Sequence, residues 1–265
     1  QLVEEEKLRL SDPLSLWFPD FPNAKAITLD HLLTHTSGSY SFQADPAFRA
    51  RSGYQSPEEL IAVAVGHGNG FCPGEYWSYS NTGYVLLGRI VEGVEGRPFH
   101  AVVNSRIVDR LHLGNARALA PREEPEGLAI PNPSDPGEQQ RRTSVSTPYA
   151  AGAVVSSAED LVRFWHGLLC GRLLKTATVR DQFQRLYPMF GGGTFYGRGV
   201  MLYDVPGQSG VRAWLGHSGG APGTKALVAY AMDSGAFIAV LLNADGSAEA
   251  TAHLLLSTLQ GAGSK

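Results

Sequence analysis

A tyrosine and an asparagine separated by one residue form the most chemically suggestive pair in the sequence. Tyr79 and Asn81 follow a Pro73-Gly74 turn and directly precede a helical pattern of apolar residues. Asn81 is therefore predicted to be the N-cap of that helix, at a junction that would fix both side chains. A phenol beside an amide can relay a proton and hold a substrate carbonyl, provided that a neighbouring positive charge lowers the pKa of the phenol. The alternative is an aromatic turn that fills a core and an asparagine that only caps a helix.

Histidine and cysteine offer weaker candidates for chemistry. His31 and His35 are four positions apart on a predicted helix, which is a spacing that metal sites use, but no third ligand is evident and no Glu follows His31. Cys72 and Cys170 could pair or remain two free thiols, and the sequence contains no Cys-x-x-Cys. We therefore predict neither a metal nor a cofactor.

Composition restricts the range of partners. The 265 residues carry 22 basic and 25 acidic side chains, for a formal net charge of -3, with no basic stripe and no acidic tail. This pattern argues against nucleic acid as a partner. The sequence also has no apolar run long enough to span a bilayer. A chain of this length can form one large domain or two lobes that share a cleft.

Helical patterns dominate the first two thirds of the chain. Ser56 and Glu59 form a capping box, and Gly96 is a plausible residue to end the helix that starts at Asn81. The stretch 114–147 is rich in Pro, Glu, Ser and Arg and predicts a long surface excursion. The predicted helices cover 29–35, the segment after Glu59, 81–95, 98–108, the segment after Ser157, and 176–186.

The last third has the pattern of a strand meander. Short apolar runs at 196–203, 211–216, 224–232 and 236–242 are separated by Gly, Pro, Asp and Ser, and a closing helix begins at Ser247. We predict an α/β (α+β) fold in which an antiparallel sheet flanked by helices packs against a mostly helical lobe. The predicted regions are 1–27, part of the sheet lobe; 28–187, the helical lobe; and 188–265, the sheet with the C-terminal helix.

Several stretches together resemble the serine hydrolase superfamily of penicillin-binding proteins, class C β-lactamases, D-alanyl-D-alanine carboxypeptidases and family VIII esterases. They occur in the family's order and cover nearly the whole chain. The resemblance implies a β-lactamase/DD-peptidase-like fold and a location outside the cytoplasm. The matching stretches are Gln1-Leu-Val-Glu-Glu5, Leu32-Leu-Thr-His-Thr-Ser-Gly38, Tyr79-Ser-Asn81 with Thr82-Gly-Tyr-Val-Leu-Leu-Gly88, Ser157-Ala-Glu-Asp-Leu161 and His217-Ser-Gly219.

In that family three motifs meet in one cleft: Ser-x-x-Lys, Tyr-x-Asn and Lys/His-x-Gly. Tyr79 and Asn81 match the second motif, and His217, Ser218 and Gly219 match the third. The resemblance implies that Tyr79 shuttles a proton, that Asn81 orients a lysine and the substrate amide, and that His217 supplies a hydrogen-bond donor across the cleft. It also implies that the backbone N–H of Gly220 forms half of the oxyanion hole.

The first motif is missing from the sequence, because no serine is followed three residues later by lysine. Residues 1–7 have the pattern of the last turns of an amphipathic helix without an N-cap. We expect the Ser-x-x-Lys in an upstream segment of the same protein, and we expect the 265 residues alone to be inactive. The alternative is a non-catalytic binding or scaffold relative that keeps the cleft without the chemistry.

The sequence leaves the acyl substrate open among a peptide, an amide, a β-lactam and an ester. A carboxypeptidase needs a cation that clamps a carboxylate, and Arg198, Arg212 and Lys225 lie near the third motif. These residues could equally be solvated charges at a strand edge. An esterase would need a wide aromatic pocket instead. Trp77, with Tyr76 and Trp214, could line such a pocket.

Overall fold

A six-stranded antiparallel meander organises the second half of the chain. The computed structural model describes residues 1–140, 143–189, 193–207 and 210–262. Each strand of the meander pairs with the next one along the chain, in the order β3-β4-β5-β6-β7-β8. A separate two-stranded ladder joins β1 to β2. The strands are β1 Arg117–Ala118, β2 Val154–Val155, β3 Tyr187–Pro188, β4 Thr194–Tyr196, β5 Met201–Gly207, β6 Gly210–Ala221, β7 Thr224–Ala231 and β8 Ala236–Leu242.

The described part of the chain outside the strands consists of helices joined by turns and loops. The capping box predicted at Ser56 and Glu59 is present, and Gly96 ends the central helix in the left-handed conformation, with φ of 63°. The helices are α1 Leu29–Leu33, α2 Pro46–Arg49, α3 Pro57–His67, α4 Asn81–Glu95, α5 Phe99–Val103, a π-helical turn Asn104–Val108, α6 Asp109–Leu111, α7 Pro136–Gln140, α8 Ala158–Leu169, α9 Thr176–Asp181 and α10 Ala248–Ala262.

The predicted strand 196–203 divides into two strands. A tight turn separates β4 from β5, closed by a hydrogen bond from the Gly197 N–H to the Val200 carbonyl at 2.8 Å. Gly199 has φ of 73° in that turn, where glycine is favoured. β3 and β4 therefore add two short strands to the predicted meander. The predicted strand 236–242 is confirmed with both of its ends.

Two helices cover the sheet from opposite sides. The side chains of α10 pack against Trp214, Leu227 and Ala229 of the sheet in one buried cluster. Side chains of α8 pack in another cluster with Val228 and Leu215, and the Trp165 indole donates to the Leu215 carbonyl at 2.9 Å. Because successive side chains of a strand point to opposite faces, both faces of β6 and β7 are buried.

α4 is the centre of the helical part. Its buried Leu86 and Ile90 pack with Leu29 and Leu32 of α1. Apolar side chains from residues 1–27, among them the buried Leu14, pack in the same cluster. The predicted boundaries of the three regions stay a prediction, since residues 1–27 contact the helical part through this cluster.

The first seven residues form hydrogen-bonded turns with the geometry of a helix C-terminus, in which Glu6 has φ of 59°, and the end of an amphipathic helix stays a prediction for these residues. The Glu5 N–H donates to the Gln1 carbonyl, and the Lys7 N–H donates to the Leu2 carbonyl at 2.9 Å. A helical turn this short has little intrinsic stability because nucleation costs more than its few hydrogen bonds return. The Leu2 side chain is nevertheless buried.

The excursion 114–147 crosses to the far end of the sheet. The Asn132 N–H donates to the Gly223 carbonyl in the β6–β7 turn at 3.1 Å. Asp245 then holds both parts, since it accepts from the Ser134 N–H at 2.7 Å and from the Gly223 N–H at 2.8 Å. No helix in the described part of the chain is long and apolar enough to cross a bilayer.

Candidate active site

Tyr79 and Asn81 lie at the start of α4, as the sequence predicts, but Asn81 is not the N-cap. Ser80 occupies that position in an extended conformation, and Asn81 is the first helical residue. The Asn81 side chain donates to the Gln43 side chain, and its backbone N–H donates to the Ser41 hydroxyl at 3.3 Å. The junction therefore binds Asn81 to the 41–43 turn.

His35 anchors this junction from the loop after α1. Its Nδ1 accepts a hydrogen bond from the Ser80 N–H at 3.1 Å, which leaves the proton of the neutral ring on Nε2. The side chain is 1% exposed, and His35 has φ of 59°, a conformation uncommon outside glycine. Burial, assisted by the nearby His217, lowers the pKa of His35 to about 3. His35 is therefore a neutral hydrogen-bond acceptor at neutral pH.

Aromatic rings from both halves of the fold surround His35. The His35 ring centroid is 4.1 Å from that of Tyr79, 4.5 Å from that of Tyr196 and 5.2 Å from that of Tyr84. The Tyr79 and Tyr196 rings meet edge to face at 5.8 Å, a favourable aromatic geometry. This cluster packs the start of α4 against β4 of the sheet.

His217 joins the cluster through Tyr196. Its Nε2 lies 3.2 Å from the Tyr196 hydroxyl, and its Nδ1 lies 2.7 Å from the Ser218 carbonyl. The two rings meet edge to face with centroids 5.7 Å apart. Burial lowers the pKa of His217, although the Ser218 carbonyl opposes this effect.

The structure thus brings Tyr79 and His217 to one place without a direct hydrogen bond between them. Tyr196 contacts both of these side chains. Burial raises the pKa of Tyr79, and no positive charge in the described part of the chain offsets this effect. A phenolate at Tyr79 therefore needs a cation from elsewhere.

The third motif lies near the end of β6. The Ser218 hydroxyl points toward the Met201 sulfur, 3.9 Å away, on the face opposite to His217. Gly219 shares the His217 face and has open space where a Cβ would be. A Cβ on Gly220 would lie 2.7 Å from the Lys225 side chain on the neighbouring strand. Gly219 and Gly220 are both exposed.

The basic candidates for substrate binding have other partners. Arg198 donates to both the Asp181 carboxylate and the Asp181 carbonyl, and it also binds the Asp30 carboxylate. Its guanidinium is therefore held in ion pairs within the protein and does not serve as a clamp for a substrate carboxylate. The Lys225 ammonium lies 3.7 Å from the Asp245 carboxylate. Arg212 pairs with Val205 through its backbone, and its side chain lies outside the described part.

The aromatic candidates divide between the surface and the interior. Trp77 is half-buried, with its ring 6.1 Å from the rings of both His35 and Tyr196, so it borders the buried cluster. Tyr76 is 67% exposed, and its ring meets that of Phe71 edge to face with centroids 5.7 Å apart. Trp214 is 4% exposed within the core between the sheet and α10, so the prediction that it lines a pocket is wrong.

His31 and His35 point to separate partners. His31 completes the capping box of α1, where its Nδ1 accepts from the Thr28 N–H at 3.2 Å. His35 accepts from the Ser80 N–H in the junction described above. The described residues contain no cluster of three or more potential metal ligands. Cys72 and Cys170 are both exposed free thiols.

The buried state of His35 predicts a specific dependence of stability on pH. Below pH 6.5 the unfolded chain binds a proton at His35 and the folded chain does not, so the free energy of unfolding falls as pH falls. This single group contributes about 1.4 kcal/mol per pH unit until the pH approaches the folded pKa. Urea unfolding at pH 7, 6 and 5 measures the slope.

A His35→Asn variant provides the control, because asparagine tolerates the left-handed backbone and its side-chain oxygen can accept from the Ser80 N–H. We expect this variant to be less sensitive to pH by about the contribution of one group. Equal slopes for the two proteins would contradict a neutral, buried His35.

Sequence reasoning missed Tyr196 and Tyr84 as members of the site. Tyr196 stood at the start of a predicted strand, and Tyr84 was one of the apolar residues of the predicted helix. Neither has a local pattern that distinguishes it from a core tyrosine. The available signal for Tyr196 was the pair of aromatic residues at the end of β4, directly before the Gly197 turn.

Comparisons with known proteins identify the family and the fold. A family model described as Beta-lactamase matches residues 1–261. A D-stereospecific amidohydrolase from Streptomyces sp. is 31% identical, with a TM-score of 0.80, over 95% of this chain and 79% of that one. A D-amino acid amidase from Ochrobactrum anthropi SV3, complexed with L-phenylalanine, is 27% identical, with a TM-score of 0.80, over 94% of this chain and 73% of that one.

Two proteins that are similar in sequence are longer than this chain. Penicillin-binding protein 4* of Bacillus subtilis (strain 168) is 25% identical over 266 residues, which cover 94% of this chain and 58% of that protein. A second relative from the same organism is matched over 50% of its length. The chain therefore spans about half of each of these two relatives.

Proposed function

Since this chain belongs to the Beta-lactamase family, we propose that it is the larger part of a serine hydrolase that acts through an acyl-enzyme intermediate. The observation that supports this proposal is the cluster that joins the start of α4 to β6 through Tyr79, Tyr196 and His217. In the proposal, a serine and a lysine outside these 265 residues complete the centre. We define the longer polypeptide as this chain together with the residues encoded immediately before Gln1.

Each side chain of the centre then has a chemical task. A lysine ammonium near Tyr79 would counter the burial that raises the pKa of the phenol, so that Tyr79 can take a proton and return it to the leaving group. Asn81, bound to the 41–43 turn, would orient that lysine and the substrate amide. His217 would face the substrate from β6 as a polar group that can change its charge. The Gly220 N–H would supply one of the two oxyanion donors, and the nucleophile's own N–H would supply the other.

The proposed substrate class is a small amide or peptide with a D-configured residue, with esters and β-lactams as the alternatives. The names of two similar solved structures, a D-stereospecific amidohydrolase and a D-amino acid amidase, support the amide. Arg198 does not supply a clamp for a carboxylate, because it is bound to Asp30 and Asp181. A location outside the cytoplasm is kept as part of the proposal.

Covalent labelling tests the proposal directly. The longer polypeptide is treated with a fluorescent penicillin and with a fluorescent fluorophosphonate, and the 265-residue chain is treated in parallel. We expect stoichiometric label on the longer polypeptide and only background label on the shorter one, because the shorter chain lacks the nucleophile that forms the covalent bond. Mass spectrometry of the labelled peptide identifies the serine.

Two results would contradict the proposal. The first is a longer polypeptide that carries no Ser-x-x-Lys, and the second is one that carries it and takes no label from either reagent. Either result would favour the alternative, a binding or scaffold protein that keeps the cleft without the chemistry. That alternative predicts reversible binding of penicillin or a D-amino acid amide with no covalent product.

A further inference from the structure

The Tyr196 hydroxyl lies between polar side chains from two different parts of the fold. It is 3.2 Å from the His217 Nε2 on β6 and 3.2 Å from the Tyr84 hydroxyl on α4. The Tyr84 hydroxyl also donates to the Leu33 carbonyl at 2.9 Å, at the end of α1. The His217 Nδ1 is 2.7 Å from the Ser218 carbonyl. Four hydrogen-bond contacts therefore connect α1 and α4 to β6.

The two carbonyls at the ends of this chain of contacts determine where the protons are. A carbonyl oxygen only accepts, so the Tyr84 proton lies toward Leu33 and a proton is on the His217 Nδ1. In neutral His217, Nε2 is then an acceptor, and Tyr196 must give it the one proton of its hydroxyl. The Ser218 carbonyl thereby selects the tautomer protonated on Nδ1, and the Tyr196 hydroxyl is the donor to the Nε2 of that tautomer.

We propose that Tyr196 is a positioning residue for His217: its hydroxyl, hydrogen-bonded to Nε2, fixes the rotation of the imidazole that faces the active site and is the partner of that nitrogen in both charge states of the ring. The role of His217 in catalysis rests on the proposed function, whereas the hydrogen bonds do not. Tyr196 is 1% exposed, so water does not compete for the contact. Its ring is held on its other side by the rings of His35 and Tyr79.

The same geometry links the charge of His217 to α4. When His217 gains a proton, Nε2 becomes a donor, the Tyr196 oxygen accepts, and the Tyr196 proton turns to the Tyr84 oxygen. Each of the four contacts then contains one proton, whereas in the neutral state the Tyr84–Tyr196 contact contains none. The titratable groups that face His217 are Tyr196 from β4 and His35 from the loop after α1, with Tyr84 and Tyr79 behind them. Burial opposes the protonated state by lowering the pKa of His217.

Nitrogen NMR of the 265-residue chain with ¹⁵N-labelled histidine tests the positioning role without any need for activity. We expect His217 to show one tautomer, protonated on Nδ1, in the wild type. Tyr196→Phe should keep the proton on Nδ1, shift the Nε2 resonance because that nitrogen loses its hydrogen-bond donor, and lower the pH at which His217 titrates, because the charged ring loses a buried acceptor. Tyr84→Phe should keep the tautomer and lower the pH at which His217 titrates by a smaller amount. The reason is that the Tyr84 oxygen accepts the Tyr196 proton only when His217 is charged.

The matched control is Tyr230→Phe, the same change on β7, where the ring packs on Phe237. It should leave both the tautomer and the titration of His217 unchanged. If Tyr196→Phe left both the Nε2 resonance of His217 and the pH at which it titrates unchanged, the proposal would be overturned. Should that variant fail to fold, an unchanged titration of His217 in Tyr84→Phe would overturn it equally.

An activity measurement keeps this inference separate from the proposed function. In the longer polypeptide, Tyr196→Phe should lower kcat about tenfold or more and move the acid side of the kcat/KM profile, with KM changed less. Absence of label on the wild type would overturn the proposed function, while the NMR result would still decide the positioning of His217. A kcat equal to wild type, with a shifted Nε2 resonance and titration of His217, would overturn the functional importance of the positioning.

Discussion

Replacing Tyr79 by phenylalanine is expected to lower kcat/KM of the longer polypeptide by about 10²–10⁴-fold, the range for loss of a general acid or base. The variant keeps the ring that packs against His35 and Tyr196, so the cluster should survive. The hydroxyl makes no hydrogen bond among the described residues, and its removal should therefore cost little stability. Steady-state hydrolysis of a D-amino acid amide, together with the rate of labelling by fluorescent penicillin, gives the measurement.

The control for this prediction is Tyr54→Phe. Tyr54 lies beneath the Arg122 guanidinium, with 4.9 Å between the guanidinium carbon and the ring centroid, and has no part in the proposed centre. It should retain wild-type activity within twofold. A Tyr79→Phe protein that is folded and hydrolyses the amide within tenfold of the wild-type rate would refute the assignment of Tyr79 as the proton carrier.

Gly38→Ala is expected to lower the free energy of unfolding by about 3 kcal/mol or more, from backbone strain plus overpacking. Gly38 has φ of 75°, and an added Cβ would lie 2.3 Å from the Phe71 carbonyl oxygen. The clash is with the backbone, so no side-chain rotation relieves it. The Gly38 carbonyl also accepts from the Gly70 N–H at 2.9 Å, which holds the two loops together. Urea unfolding of the 265-residue chain measures the loss.

Gly53→Ala separates the two contributions. Gly53 has φ of 76°, almost the same as Gly38, but nothing lies within 4 Å of an added Cβ. This variant should lose only the cost of the left-handed conformation, about 1 kcal/mol. Equal losses at the two positions would mean that the close approach to Phe71 contributes nothing to the requirement for glycine in the Thr36-Ser-Gly38 stretch.

Local signals predicted most of the fold. The capping box at Ser56, the C-terminal glycine of α4 and the strand β8 were all recognised, because each depends on residues within a few positions of one another. The family was also recognised from the ordered motifs, and the matched family model confirms it. The division of one predicted strand into β4 and β5 was missed, because Gly197-Arg198-Gly199, which forms the turn, was taken as part of one continuous strand.

The site was only partly predictable, because local patterns do not show contacts between distant segments. Tyr79, Asn81 and His217 were named from short motifs, and the structure places them on α4 and β6 near one cluster. Their assigned roles remain predictions. Asn81 was predicted to be an N-cap, but Ser80 takes that position because its backbone N–H is bound to His35. That contact joins residues 45 positions apart, which a local pattern cannot show.

The sequence alone determined which residue types are available for chemistry, where most helices and strands lie, and which family the motifs resemble, since these depend on near neighbours. Only the tertiary structure decided that Arg198 is bound to two carboxylates, that Trp214 lies in the core, and that Tyr196 joins Tyr84 to His217. Such contacts arise when distant segments pack together, and the partner of a polar side chain is then set by the shape of the whole fold.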